Sequence, residues 1–393
     1  MSSSVDTRTR GGEPSTVGHL LVEYLPRTST FIHTLLRSQT GYRPIVLARR
    51  LSNLSEFPLD GEILELGPKE TRITQLNARF PVLPEKVRDP YPRRVEARAR
   101  EYGCVLLHAH FGWSGVSGIR TAERLGIPLV TTFYGLDLSH KKRRWHSRGV
   151  YEHLFARGTR FICEGPAMSA HLVELGCEPA KIRIVPVGID LDEFPFRVRE
   201  RRSPLVVLQT ARLVEKKGVD LSIRAFAIAS DRIGEAQLWI VGDGDLRPEL
   251  EGLARSLGVA DRVRFVGEIS HIEYRELLEQ AHVGIQPSRT ASDGDTEGGA
   301  PTVLLEMQAS GLPVIATRHA DIPFVVAAQD GLVDEEDVPG LAAALVRVAG
   351  LREPEWAQRS AEGRRAIESL HDASVVAGLV EDVYAEALAR DRP

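Results

Sequence analysis

The sequence has little cysteine, no long apolar run and only a small excess of charge, and each absence excludes a class of protein. Its three cysteines, Cys104, Cys163 and Cys177, are odd in number and lack metal-type spacing, which argues against a disulfide scaffold or a cysteine metal site. No stretch approaches the ~20 apolar residues of a membrane span, and no secretory signal pattern opens the chain. These features predict a reduced, cytoplasmic protein.

The sequence also lacks a complete Gly-x-Gly-x-x-Gly fingerprint, the motif that binds dinucleotides. Residues 241–245 (VGDGD) lie between a predicted strand and a predicted helix, as such a fingerprint requires. However, Arg247 occupies the position where the third glycine belongs. We therefore interpret this segment as a tight strand-to-helix turn rather than as a binding site for NAD.

The chain does contain a regular alternation of short apolar runs and amphipathic stretches. This pattern predicts the α/β class, with strands in a doubly wound parallel sheet. Apolar content collapses at residues 195–204 and the alternation then restarts, so we predict two Rossmann-like domains facing across a cleft. The predicted parts are a disordered tail (1–16), an N-terminal domain (17–194), a linker (195–204), a C-terminal domain (205–372) and a C-terminal helix (373–393) that crosses back to the first domain.

The most informative stretch runs from residue 293 to residue 317. It begins with an acidic, glycine-rich loop, continues as a short helix over Thr302–Ser310 and ends as a buried strand. A loop of this kind at a helix N-terminus presents N–H groups to a phosphate or a sugar hydroxyl. Glu306 lies among apolar residues of the helix, and a buried carboxylate needs a partner. That partner is either a nearby arginine or a ligand.

Two cations follow the first strand of the second domain. Arg212 and Lys217 lie where that strand ends, at the sheet edge at which α/β proteins bind ligands. A guanidinium and an ammonium together suit a diphosphate. The alternative is a pair of solvated surface cations.

Several segments, in order and spacing, resemble the donor-binding domain of retaining glycosyltransferases of the GT-B fold (family 4-like, glycosyl transferases group 1). They are ARLVEKKGVDLSIRAF, GDGDLRPELEGLARSLGVADRVRFVGEIS, VGIQPS and EGGAPTVLLEMQASGLPVIAT. STFIHTLL, LLHAHFGWSGV, TTFYGLD and PVGIDLDEF in the first half resemble the family more loosely. The resemblance covers residues 19–320 and is greatest to members that build exopolysaccharide or other envelope glycans.

The resemblance implies a role for each matching residue. Arg212 and Lys217 would neutralise the donor diphosphate, so no metal and no cofactor beyond a UDP- or GDP-sugar donor are expected. Glu306 would accept hydrogen bonds from the ribose hydroxyls. The other implied donor contacts are Gly188, Phe265, Gly267, Glu297, Gly298, Gly299, Ala300, Pro301 and Thr302.

The chain departs from the family pattern at two places. The family usually separates its two acidic residues by seven positions, whereas eight residues separate Glu297 from Glu306. Either Glu297 or Asp295 could therefore reach the sugar. The family often has a histidine where this chain has Tyr134, and tyrosine is a poor base near neutral pH. His110 could take part of that role toward the acceptor, or it could be a structural histidine.

These features together predict a retaining glycosyltransferase that moves a sugar from a nucleotide-sugar to a sugar or a lipid-linked sugar acceptor. The alternatives are an epimerase or phosphorylase of the same fold, or a non-catalytic partner that binds glycan or lipid. Residues 140–148 (HKKRRWHSR) contain five Lys or Arg. They are either a solvated loop or a patch that binds an anionic membrane surface on the inner face, or the pyrophosphate of an acceptor. Nothing else in the chain favours a nucleic-acid partner.

Overall fold

The computed structural model describes residues 14–25, 30–54, 58–59, 61–67, 90–138, 149, 151–200 and 202–390. Two parallel sheets lie within these residues, one in each half of the chain. The α/β class and the two Rossmann-like domains predicted from the alternating pattern are thereby confirmed.

The first sheet has seven strands in the order β3-β2-β1-β4-β5-β6-β7. The strands are β1 Ser15–Tyr24, β2 Tyr42–Leu51, β3 Glu62–Glu65, β4 Cys104–His110, β5 Leu129–Thr132, β6 Arg160–Cys163 and β7 Ile182–Ile184. All of them pair in parallel. The strand order reverses between β1 and β4, which creates a crevice at the carboxyl ends of these two strands.

The second sheet repeats this topology with six strands, in the order β10-β9-β8-β11-β12-β13. The strands are β8 Leu205–Thr210, β9 Ala236–Val241, β10 Val263–Gly267, β11 Val283–Gln286, β12 Val314–Thr317 and β13 Leu332–Val333. Here the order reverses between β8 and β11, so the loops that leave these two strands are neighbours.

Helices connect the strands and cover the faces of the sheets. The described helices are α1 Thr30–Ser38, α2 Tyr91–Glu101, α3 Gly112–Leu125, α4 Gly135–Leu138, α5 Pro166–Glu174, α6 Val219–Ala229, α7 Arg247–Ser256, α8 His271–Gln280, α9 Val303–Ala309, α10 Ile322–Val325, α11 Val338–Ala349, α12 Glu353–Leu370 and α13 Ala373–Arg390. Residues 151–157 are also helical. Among the described helices, none is long and apolar enough to cross a membrane.

The predicted tail, residues 1–16, extends two residues too far. Ser15 and Thr16 pair with Tyr42 and Arg43 and begin β1, although their side chains are small and polar. Backbone hydrogen bonds to β2 hold this end of the strand, and composition does not report such bonds. Residues 1–13 of the predicted tail lie outside the described residues.

The C-terminal helix crosses back to the first domain, as predicted. α13 packs beside α1, β4 and β5, and its Tyr384 is fully buried there. The start of α13 contacts Gly188, where an added Cβ would lie 3.0 Å from Cβ of Val376. Gly188 thus accommodates this helix at the junction between the domains.

Candidate functional site

The loops that leave β8 and β11 build the centre of the candidate site. A short 3₁₀ turn, Glu215–Lys217, follows β8 and ends at Gly218, whose φ is +61°. A Cβ at Gly218 would overlap the carbonyl oxygen of Pro287, so a side chain there would force the two loops apart. The turn therefore lies directly against the residues that follow β11.

Lys217 and Glu297 form a buried ion pair at this contact. The ammonium lies 2.8 Å and 2.7 Å from the two carboxylate oxygens, and the side chains are only 14% and 7% exposed. Ser288 donates a 2.6 Å hydrogen bond to the same carboxylate. Burial alone would raise the pKa of Glu297, but Lys217 and Ser288 outweigh it and hold the pKa below its ordinary value. Glu297 is thus an anion that fixes the Lys217 ammonium.

The neighbouring acidic residue makes a separate pair. Lys216 lies 3.2 Å from a carboxylate oxygen of Asp295 and donates a 2.8 Å hydrogen bond to the carbonyl of Thr296. Asp295 and Glu297 therefore each bind a different lysine of the same turn. The acidic loop, residues 293–301, is held at two points by the strand exit beside it.

His319 is a further member of the site that sequence reasoning missed. Its Nε2 accepts a 3.1 Å hydrogen bond from the backbone N–H of Glu297, and its Nδ1 lies 2.7 Å from Glu335. His319 follows β12, the strand beside β11 in the sheet. A polar residue just beyond a strand's carboxyl end is the sequence signal that identifies it.

Glu306 lies on α9, one turn beyond the acidic loop, and has no cationic partner within 4 Å among the described residues. The described residues therefore do not give Glu306 the arginine partner that was one of the two predicted alternatives. Burial raises the pKa of Glu306, while Tyr274 and His271 on α8 act in the opposite direction. His271 itself is paired with Glu193 at 3.0 Å. Glu306 is therefore a half-buried carboxylate with capacity for further hydrogen bonds.

The other predicted donor contacts surround this centre. Arg212 is exposed and, within the described residues, unpaired. Phe265 is half-buried in β10, and Gly267 ends that strand with a φ of +86°. Ala300, Pro301 and Thr302 lead from the acidic loop into α9.

The first domain touches the acidic loop through backbone atoms. Gly135, at the start of α4, lies so close that a Cβ there would overlap the carbonyl oxygen of Glu297. A Cβ at Gly298 would in turn overlap the carbonyl oxygen of Gly135. Gly298 also has a φ of +74°, a conformation that a side chain would strain. The two domains are thus in backbone contact at the loop predicted to hold the sugar.

Two carboxyl groups reinforce this contact, and sequence reasoning identified neither. Glu164 follows β6 and lies against Gly299. Burial, together with the nearby carboxylates of Asp321 and Asp137, raises the pKa of Glu164 to about 8. Asp321, which is 2% exposed, accepts hydrogen bonds from the N–H groups of Ala167 (2.7 Å) and Met168 (3.2 Å). Asp321 belongs to the second domain, and these donors form the N-terminus of α5 in the first.

His110 and Tyr134, the two predicted first-domain residues, hydrogen-bond each other. His110 Nδ1 lies 2.8 Å from the Tyr134 hydroxyl, and both side chains are buried. His110 also belongs to a cluster with His19 and His108, whose ligand nitrogens all lie within 4.8 Å of one another. Among the described residues this is the one group with a spacing that could suit a metal ion. Residues 140–148, the predicted basic patch, lie outside the described residues.

Two parallel Rossmann-like sheets, with the carboxyl-terminal loops of their strands turned toward each other, define the GT-B class of glycosyltransferases. A structure of the Anabaena protein HepE in complex with UDP shares this fold, with a TM-score of 0.72 and 16% identity over 94% of this chain and all of that one. The family model described as Glycosyltransferase Family 4 matches residues 29–193. The model described as Glycosyl transferases group 1 matches residues 204–350.

Curated relatives agree with both family models. The D-inositol 3-phosphate glycosyltransferase of Acidothermus cellulolyticus is 32% identical over 76% of this chain and 71% of its own length. The amylovoran biosynthesis glycosyltransferase AmsK of Erwinia amylovora is 32% identical over 66% of this chain, a match that spans 64% of AmsK. The chain belongs to the glycosyltransferase family described as Glycosyl transferases group 1.

Proposed function

We propose that this protein transfers a sugar from a nucleoside diphosphate sugar to a hydroxyl group of a sugar or lipid-linked sugar, with retention at the anomeric carbon. Family membership supports transfer of a sugar. Similarity to AmsK, a protein of amylovoran biosynthesis, supports a role in exopolysaccharide or other glycan synthesis. The UDP bound to HepE, which shares the fold, supports a nucleotide-linked donor.

The observation that carries this proposal is the contrast between two carboxylates at one sheet edge. Glu297 is fully engaged by Lys217 and Ser288, whereas Glu306 has no cationic partner among the described residues. Ribose hydroxyls are donors that would satisfy Glu306 without bringing another charge. The Arg212 guanidinium and the Lys217 ammonium, which both follow β8, suit the diphosphate of the same ligand.

Retention follows from the proposed arrangement of reactants. The bond from the anomeric carbon to the phosphate oxygen breaks, and the bond to the acceptor oxygen forms on the same face. The acceptor proton passes to the departing phosphate oxygen, so the reaction requires no protein base. Arg212 and Lys217 stabilise the negative charge that develops on that phosphate. This part of the proposal needs no metal ion.

We further propose that the acceptor is presented at the cytoplasmic face of a membrane. Residues 140–148 carry five Lys or Arg, and each basic residue near an anionic surface contributes ~1 kcal/mol. Flotation with vesicles of phosphatidylglycerol and phosphatidylcholine tests this role. Binding that disappears in pure phosphatidylcholine supports it, and equal recovery with both kinds of vesicle contradicts it.

A transfer assay tests the proposed function. The wild type, Lys217→Ala and Glu276→Ala are incubated with labelled UDP- and GDP-sugars, EDTA and a membrane extract as acceptor. Glu276 is exposed on α8 and serves as the control. We expect transfer by the wild type and by Glu276→Ala, and a loss of roughly 100-fold in Lys217→Ala. NMR of the product should show the anomeric configuration of the donor. Conversion of the donor without any acceptor would instead favour the epimerase.

A further inference from the structure

A chain of buried polar side chains runs through the interior of the first domain. It includes both predicted cleft residues, His110 and Tyr134, but extends far beyond them. Its hydrogen bonds are His110–Tyr134 (2.8 Å), His19–His110 (3.0 Å), Gln39–Tyr384 (3.1 Å), His108–Tyr384 (2.6 Å) and His108–Thr132 (2.7 Å). This set of side chains therefore joins the residue after α1, three neighbouring strands and the C-terminal helix.

The amide of Gln39 sets the direction of every hydrogen bond in this chain. Gln39 donates through Nε2, so the Tyr384 oxygen is an acceptor at that contact. The Tyr384 proton then needs an acceptor of its own, and Nδ1 of His108 is the atom that lies 2.6 Å away. His108 must therefore carry its proton on Nε2, from which it donates to Thr132.

The same reasoning closes the chain into a ring. The Thr132 side chain also faces the Tyr134 hydroxyl, whose own proton goes to Nδ1 of His110. His110 in turn donates from Nε2 to Nδ1 of His19. Nε2 of His19 and Oε1 of Gln39 are the two buried atoms left without a close partner, and they are complementary as donor and acceptor. The Gln39 side chain faces His19, so these two atoms lie where a contact between them would close the ring.

All three histidines in the ring are neutral and carry their proton on Nε2. Burial lowers the pKa of His19 to about 3, and it lowers the pKa of His108 and His110 well below the ordinary range. A neutral imidazole has one lone pair, and in this ring each lone pair, on Nδ1, already accepts a hydrogen bond. The three-histidine cluster therefore has no lone pair left for a metal ion.

We propose that the ring positions the acidic loop, because it fixes the Tyr134 hydroxyl and so the backbone of Gly135, which packs against Glu297. Gln39 and Tyr384 do not touch the loop and act as positioning residues. This inference rests on the proposed function, since the loop is the part that would hold the sugar. It also gives the C-terminal helix a role in the site, because that helix supplies Tyr384.

The ring can be broken by removing a single hydroxyl group. Tyr384→Phe removes the hydroxyl that donates to His108 and leaves the aromatic group of the side chain in place. Thr132→Val removes the hydroxyl on the other side of His108, next to Nε2. Tyr42→Phe is the matched control, because Tyr42 packs edge-on against Tyr384 at 5.3 Å and its buried hydroxyl has no partner among the described residues.

The test combines imidazole NMR with nucleotide binding and turnover. In the full-length wild type, ¹⁵N spectra of labelled histidine should show three buried Nε2–H tautomers and no bound zinc. In Tyr384→Phe and Thr132→Val the ¹⁵N resonances of His108 should change, because Nδ1 loses its donor in the first variant and Nε2–H loses its acceptor in the second. Turnover of the UDP- or GDP-sugar used by the wild type should fall by roughly 10- to 100-fold. The Kd for UDP or GDP should stay the same, and Tyr42→Phe should match the wild type throughout.

Each contrary result has a distinct meaning. Mixed tautomers in the wild type, or stoichiometric zinc on the histidines, would overturn the ring itself. Unchanged turnover in both ring variants, despite altered His108 resonances, would overturn the positioning role and leave the proposed function intact. A wild type that shows the three tautomers but binds neither UDP nor GDP would contradict the proposed function, and the positioning role would fall with it.

Discussion

At the scale of single residues, the site is a set of carboxyl groups in different electrostatic environments. Glu297 is held as an anion by Lys217, whereas Glu306 and Glu164 have no cationic partner among the described residues. The same side chain can therefore be held as an anion by a lysine, keep free hydrogen-bonding capacity or remain protonated in the domain contact. Neighbouring charges and burial decide which of these roles each carboxyl group has.

Glu164 should make the stability of the protein depend on pH. Its pKa of about 8 in the folded state exceeds the ordinary value of ~4.3 for glutamate. Between these two pH values the folded state therefore binds a proton that the unfolded state has lost. The free energy of unfolding should therefore decrease as pH rises through this window. Glu164→Gln has no proton to lose, so its advantage in Tm over the wild type should grow from pH 5 to pH 8 and then level off.

Thermal unfolding at pH 5, 7 and 9 measures this effect. Glu174→Gln, an exposed glutamate at the end of α5, is the control and should follow the wild type. Parallel Tm curves for Glu164→Gln and the wild type would show that Glu164 titrates normally.

At the scale of secondary-structure elements, the site depends on where parallel strands end. The sequence predicts that Arg212 and Lys217 share a sheet edge with the acidic loop, because carboxyl ends of parallel strands meet at one edge. Their placement beside the loops of β8 and β11 agrees with that prediction. The pairing of Lys217 with Glu297, 80 residues away, could not be predicted, since strand patterns do not specify which side chains meet between loops.

The Asp321 contact with α5 is a second element-scale feature, and it joins the two domains. Asp321→Asn keeps the size of the side chain but turns an amide N–H toward one of the two backbone donors. We expect a loss of about 1–3 kcal/mol in the free energy of unfolding, because a buried donor loses its acceptor. The radius of gyration in solution scattering should increase as the domains separate more often.

Asp337→Asn is the control for this experiment. Asp337 caps α11 through the N–H of Gly340 within one domain, so its replacement should leave the radius of gyration unchanged. If Asp321→Asn matched this control in both measurements, the carboxylate would have no part in domain closure.

At the scale of the whole molecule, two similar sheets face each other and the C-terminal helix joins them. The fold class was predictable because alternating strands and helices in both halves leave few other architectures. The contacts between domains were not, because Gly135, Gly165, Gly298 and Gly299 contact residues far away in the sequence. A glycine in a sequence indicates conformational freedom, but it does not identify the atom that comes close to it.

The central claim is that a nucleotide binds between Lys217 and Glu306, and thermal unfolding with UDP, GDP, ADP and TDP tests it most directly. A nucleotide at 100 times its Kd should add ~2.7 kcal/mol to the free energy of unfolding, or about 5–10 °C in Tm for a domain of this size. We expect one nucleotide to produce this shift in the wild type but not in Glu306→Ala. No shift with any nucleotide, or an equal shift in Glu306→Ala, would contradict the account.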